Sequence, residues 1–250
     1  MTPRAAAWAS AAVIGAAAAN ALPSVSALAP VRRLTPALRG DGQPGHVALT
    51  FDDGPDPAST PQVLEALDGL GWKATFFMLG TMARKAPSLA AEVAAAGHEI
   101  AVHGDSHTWQ ILRGPWAVGP DLSRAADTVA RATGHAPAWY RPPYGVLAAS
   151  GLVASRRRRL PVVLWGAWGR DWEAEATPET VTDTVMNGLR GGETILLHDS
   201  DVTSAPGSWR STVAALPLLA ERLAARHLQV GPLAEHGVRR SSRGGPGATS

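Results

Sequence analysis

Five short runs hold most of the side chains able to do chemistry in this 250-residue chain. Thr50-Phe51-Asp52-Asp53-Gly54-Pro55 sets two carboxylates next to each other at the end of an apolar run, and His103-Gly104-Asp105-Ser106-His107 spaces two imidazoles four residues apart. Arg141-Pro142-Pro143-Tyr144-Gly145, Arg170-Asp171-Trp172 and Leu196-Leu197-His198-Asp199 complete the set. Histidines four apart in a helical turn have Cβ atoms roughly 5–6 Å apart. Both rings can then reach one ion at Zn–N distances of about 2.0–2.1 Å. A carboxylate from another element would make a three-ligand set with positions left open for water and substrate. Two surface histidines fit the same spacing equally well. Adjacent carboxylates raise each other's pKa unless cations stand close; a divalent ion and Arg141 would supply them. Asp-Gly-Pro is also ordinary turn chemistry.

The elements that must position these residues alternate in type. Apolar runs predict strands at Val47–Phe51, Thr75–Leu79, Glu99–His103, Ala138–Tyr140, Val162–Trp165, Thr194–Leu197 and Leu228–Val230. Helical patterns lie between them: Pro61–Leu70, Ala86–Ala96, Pro120–Thr133, Leu147–Arg158, Pro178–Leu189 and Ser211–Arg226. Gly71, Gly97, Gly134 and Gly191 stand where helices should stop. Strand–helix alternation implies a parallel sheet with helical crossovers. About seven such units in so short a chain suit a distorted (β/α) barrel, in which chemistry gathers at the C-terminal ends of the strands. Each of the five runs follows a predicted strand.

Composition narrows the function classes. The chain is 45% hydrophobic and 18% charged, as expected for one globular domain, and its formal net charge of +2 gives no nucleic-acid footprint. With no cysteine, disulfides, thiolate metal sites, thiol catalysis and a cysteine-linked lipid anchor are excluded. Residues 1–29 read as a secretory signal peptide: Arg4 precedes a run of small and apolar residues, followed by Ala19-Asn20-Ala21 and Ala27-Leu28-Ala29 as small-x-small cleavage patterns. The run is shorter than the roughly 20 residues a membrane span needs, so no stable span is expected. Residues 30–45 read as a linker, 46–232 as the domain and 233–250 as a disordered tail.

In order and rough spacing, TFDDGP, HGDSH, RPPYG, RDW and ILLHD resemble the motifs of the polysaccharide deacetylases, the NodB-like domain of carbohydrate esterase family four. The resemblance covers residues 46 to about 232 and implies a distorted NodB-like (β/α) barrel. It implies a divalent metal, zinc first with cobalt or manganese as alternatives, held by Asp53, His103 and His107. It gives Asp52 the role of base, oriented by Arg141, and His198 that of general acid, tuned by Asp171. The Tyr144 backbone N–H would meet the oxyanion, and Tyr144, Trp172 and Leu196 would contact substrate. The implied reaction removes N-acetyl groups from peptidoglycan, chitin or chitooligosaccharide, by a secreted monomer with no nucleic-acid partner. O-deacetylation of an acetylxylan-like polymer is the alternative, and a non-catalytic glycan-binding module a further one.

Several residues depart from that pattern or stand outside it. Gly104 replaces the usual Ser or Thr, which puts loop rigidity on Asp105 or Ser106. Trp168 stands where many members carry an aspartate. Trp109 and Trp116 could stack on sugars, whereas Trp139 and Trp165, on predicted strands, read as core. Arg156–Arg159 read as the solvated end of a helix. Asp56, His46, His98, His135, His227 and His236 read as turn or surface residues, and Asp199 as a loop brace.

Overall fold

Seven consecutive buried residues, His46–Asp52, form β1, the centre of a parallel sheet. A strand covered on both faces needs apolar residues throughout rather than alternation, and His46-Val-Ala-Leu-Thr-Phe-Asp52 comes close to that. In the computed structural model, which describes residues 8, 14–28, 30–31 and 34–238, β1 pairs with β2 (Thr75–Leu79), β5 (Thr194–His198) and β6 (Gln229–Gly231). β3 (Glu99–Gly104) lies outside β2, and the two-residue β4 (Ala167–Trp168) outside β5. Single bridges continue from Val102 in β3 to Tyr140 and on to Val162, and Gly166 N–H donates to Thr194 O in β5. The chain is thus an α/β protein, a mostly parallel sheet bent into a distorted barrel.

The outer layer is helical: α1 (Thr60–Gly69), α2 (Gly80–Lys85), α3 (Pro87–Ala95), α4 (Pro115–Thr133), α5 (Ala149–Arg157), α6 (Pro178–Gly188) and α7 (Trp209–Ala225). Proline opens α3 and α6 within their first turns, where its missing N–H costs nothing. Thr177 caps α6 by accepting from Thr180 N–H. Leu64 and Leu67 of α1, Val93 of α3, Leu122 and Val129 of α4, Val185 of α6 and Leu216 and Leu219 of α7 are buried in one core cluster with Leu49, Phe51 and Phe76. Helix stops fall where the glycines stand, with Gly71, Gly97 and Gly134 at φ 65°, 82° and 74°.

The structure differs from the sequence reading at four places. The predicted strands Ala138–Tyr140 and Val162–Trp165 are reduced to isolated bridges. Pro137, Pro142 and Pro161 crowd them, and proline cannot donate to a ladder. The regular pairing moves on to Ala167–Trp168 instead. α4 starts at Pro115, five residues early, and carries Pro120 inside its first two turns. α2, not predicted, is a six-residue helix opening on glycine directly after β2.

The ends of the domain also shift. Leu38 O accepts from Leu164 N–H, Gly40 O from Thr194 Oγ1, and Gly42 N–H donates to Gly192 O. The second half of the expected linker therefore belongs to the barrel. Leu233, His236 and Val238 are buried, so the expected tail packs as far as residue 238; the remainder, 239–250, lies outside the described residues, as does much of the expected leader. His46, His98 and His236 are buried rather than at the surface. His46 Nδ1 and His236 Nδ1 lie 2.8 Å apart, and His98 Nδ1 accepts from Ala74 N–H. Among the described residues no helix is long and apolar enough to cross a membrane.

Candidate active site

The strand register brings the chemistry together. Asp52, the last residue of β1, is the direct partner of His198, the last residue of β5. Neighbouring strands lie about 4.7–4.9 Å apart, so a carboxylate and an imidazole stand side by side at one mouth of the barrel. His103, the last residue but one of β3, reaches the same mouth. Asp53 then leaves β1 at φ 83°, a left-handed conformation that aspartate tolerates better than most residues. On a regular strand, successive side chains diverge. The break lets both carboxylates reach one ring: Asp52 Oδ2 and Asp53 Oδ1 each lie 3.6 Å from His103 Nε2.

Asp53, His103 and His107 form a group whose ligand atoms all lie within 4.8 Å of one another. His103 Nδ1 is 2.9 Å from Arg141 O. A carbonyl only accepts, so Nδ1 carries the hydrogen and Nε2 presents a lone pair to the group. Asp53 Oδ1 lies 3.6 Å from His107 Nε2 as well, and this buried oxygen has no hydrogen-bond partner. Burial drives the His103 pKa down to about 3 and lowers that of His107, against the opposing pull of Asp53, so burial favours the neutral form of both rings. Two neutral imidazoles and an orphaned buried carboxylate oxygen suit a divalent cation such as zinc.

Arg141 is wholly buried and fully committed. Its Nη1 donates to Asp52 Oδ1 at 2.6 Å and to Thr50 Oγ1 at 2.9 Å, Nη2 to Leu164 O at 2.7 Å and Nε to Val163 O at 3.3 Å. The guanidinium lies 3.9 Å above the Phe77 ring centroid. Burial raises the Asp52 pKa, and Arg141 counters part of that rise. The carboxylate is therefore oriented through Oδ1, with Oδ2 left towards the histidines.

On the opposite side Asp171 grips His198 with both oxygens. Oδ1 is 2.9 Å from His198 Nδ1, and Oδ2 accepts from His198 N–H at 2.7 Å and from Thr212 Oγ1 at 2.8 Å. Burial works against the imidazolium, but the Asp171 charge and hydrogen bond, together with the charges of Asp53 and Asp52, outweigh it, and the His198 pKa is pushed up to about 9. His198 thus keeps its proton at neutral pH, with Nε2 as the ring nitrogen still free to give it.

These residues line a cleft of about 320 Å³. Its floor holds Asp52, His103, His107, Leu196 and His198. One wall is Tyr144, at φ 59°, stacked on Trp109 at 4.3 Å and tilted against His107 at 4.2 Å between ring centroids. The other is a run of indoles: Trp168 lies 6.0 Å from Trp165 and 5.2 Å from Trp172, which packs edge-on to His198 at 5.5 Å. Gly145 is required here, because a Cβ would come within 2.6 Å of the Trp165 ring. All of the sequence-predicted site residues therefore converge. Trp116 does not join them: it is 86% exposed and faces a separate hollow between α4 and α5. Trp139 is core, its Nε1 donating to Glu99 Oε1.

Supporting residues less visible in the sequence fix this geometry. Asp199 accepts from Gly54 N–H at 3.0 Å and Thr60 Oγ1 at 2.7 Å, and its backbone O accepts from Ser59 Oγ. Burial pushes its pKa up to about 7. Asp56 does more than serve a surface turn: it accepts from Ala58 N–H and from Ser200 Oγ, joining the ends of β1 and β5. Beneath the histidine loop Asp105 pairs with Arg84 at 2.7 Å and Arg124 at 3.5 Å, and its N–H donates to Asp121, itself paired with Arg113 at 2.6 Å. Gly104 sits at φ 105°, where a Ser or Thr would be strained. This charged brace holds the loop instead. Thr203, in the loop after the His198 run, and Thr212, on α7, reach the site from outside the five runs, so no local pattern announced them.

Comparisons with known proteins show what the chain is similar to. A family model described as polysaccharide deacetylase matches residues 39–161. A chitooligosaccharide deacetylase of Bradyrhizobium sp. is 34% identical over 197 residues, 75% of this chain and 88% of that protein. A peptidoglycan-N-acetylglucosamine deacetylase of Bacillus cereus is 32% identical over 178 residues; the match spans 71% of this chain and 64% of that protein's length. Among solved structures, the Bc1960 peptidoglycan N-acetylglucosamine deacetylase superposes with a TM-score of 0.73 at 29% identity, over 81% of this chain and 94% of that one.

Proposed function

Because the chain belongs to the polysaccharide deacetylase family, we propose that it is a metal-dependent hydrolase that removes N-acetyl groups from N-acetylglucosamine-containing glycans. Peptidoglycan, chitin and chitooligosaccharide are its candidate substrates, in line with the activities for which its relatives are named. The observation that carries the reading is the pairing of Asp52 with His198 across β1 and β5, directly beside Asp53, His103 and His107.

Asp53, His103 and His107 would hold the ion, with zinc as the first expectation. When bound, a divalent ion supplies Lewis-acid polarisation and lowers the pKa of water from 15.7 to about 7. Asp52, held at Oδ1 by Arg141, takes the water proton at Oδ2 as the water oxygen attacks the amide carbonyl carbon. The Tyr144 backbone N–H donates to the oxygen on which negative charge develops. An amine is a poor leaving group, and His198 gives its Nε2 proton to the sugar nitrogen as the C–N bond breaks. Trp172 and Leu196 wall the acetyl methyl from solvent. The products are acetate and a free amino sugar. The Asp171-supported acid favours this amide chemistry over ester cleavage in acetylxylan, where an alcohol leaves more readily.

We further propose that residues 1–29 act as an export leader and that the protein works as a monomer outside the cytoplasm. The test is acetate release from chitopentaose, peptidoglycan and acetylxylan. Release from the first two is expected to stop on exhaustive chelation and return with zinc or cobalt. Activity indifferent to chelation would remove the metal, and acetylxylan as the sole substrate would remove the N-acetyl assignment.

A further inference from the structure

The loop after β5 reaches back over the metal group, and the chemistry of Asp53 makes that contact informative. A carboxylate turns easily about its terminal torsion, so a single-carboxylate site needs something to choose which oxygen faces the ion. Asp53 Oδ1 faces both imidazoles and has no hydrogen-bond partner, whereas Oδ2 accepts from Thr203 Oγ1 at 2.5 Å. We infer that Thr203 is a positioning residue for the metal centre, pinning one oxygen of Asp53 so that the other is presented between His103 and His107. The inference rests on the reading of Asp53 as a metal ligand.

The loop holds Thr203 in place without help from its hydroxyl. Ser200 Oγ donates to Asp56 Oδ2 at 3.0 Å and accepts from Val202 N–H at 3.1 Å. Asp201 accepts from Gly207 N–H through Oδ2 and from Ser204 N–H through its backbone O. Ala205 N–H donates to Trp172 O at 3.0 Å. Thr203 itself is exposed on the rim of the cleft, so removing its hydroxyl deletes one hydrogen bond and leaves the loop framework standing. The same loop joins the ligand side of the cleft, at Asp53, to the acetyl wall, at Trp172.

Partners that orient a ligating side chain typically account for about 10–100-fold in metal affinity. The test uses the full chain and its T203V and T203S variants, with zinc affinity measured by competition against a chromophoric chelator. T203V, of the same shape but without the donor, is expected to bind zinc about 10–100-fold more weakly, while T203S recovers most of the loss. At saturating zinc the turnover of T203V should return towards that of the parent. A T203V protein that binds zinc as tightly as the parent would overturn the inference alone, as would equal weakening in both variants, which would assign the effect to packing. A parent protein that binds no zinc would overturn the metal site itself, and the inference with it.

Discussion

Asp171 divides its two oxygens between the ring and the backbone of His198, which makes this aspartate the tuning element of the proposed acid. Its charge is the main influence raising a pKa that burial alone would lower. The proposed step needs the imidazolium, so activity should fall as pH rises through the His198 pKa. Asp171→Asn removes the charge, lowers that pKa, and should move the alkaline limb of the kcat/KM profile to lower pH. A limb that stays where it is would detach His198 from the acid role. The same sign governs stability in the metal-free protein. A folded-state pKa raised to about 9 gives stability that is complete below the ordinary value of 6.5 and is lost as pH climbs through about 9. At this scale the sequence was highly legible, since Asp52, Asp53, His103, His107, Arg141, Asp171 and His198 all carry groups that are expensive to bury unless used. Thr50, Thr203 and Thr212 were not, because a hydroxyl is at home anywhere and only the fold shows what it touches.

Between residue and element stands the turn Gly54-Pro55, which must let the end of β1 pass under Asp199. A Cβ on Gly54 would lie 1.9 Å from Asp199 Oδ2, which Thr60 Oγ1 holds while the Gly54 N–H holds Oδ1. Gly54→Ala is expected to cost about 1–3 kcal/mol through overpacking, read as a lower urea midpoint, and to reduce turnover by shifting Asp52 and Asp53. A variant with parental stability and turnover would show that the turn can yield. Elements were legible where chain chemistry is uniform. β2 matches its prediction residue for residue, from Thr75 to Leu79, because five buried apolar or β-branched residues admit little else. Legibility failed around Tyr140 and Val162, where apolar residues of strand type are cut off by prolines, and at Ala167–Trp168, where flanking glycines conceal a real pairing.

The whole molecule separates its two ends. The candidate site occupies the mouth where β1, β3 and β5 finish, while the opposite end is closed by residues 35–45 and 229–238. There Leu233 is buried, its N–H donating to Thr75 Oγ1, and Gln43 N–H donates to His236 O. Leu233→Ala should therefore cost about 2–5 kcal/mol of stability with kcat unchanged at temperatures where the variant remains folded. A loss of kcat without loss of stability would contradict this division. The brace under the histidine loop has a consequence of another kind. Its arginines are half in water, Arg84 45% and Arg124 55% exposed at the side chain, so their pairs with Asp105 feel the surrounding electrolyte. The Debye length shrinks from about 10 Å at 0.1 M to about 3 Å at 1 M. Amide hydrogen exchange across residues 105–108 should quicken over that range while β1 stays protected; a loop indifferent to sodium chloride would show that the charges do not hold it. An exposed charged brace of this kind would make the order of the His103–His107 loop depend on the ionic strength of the medium around it.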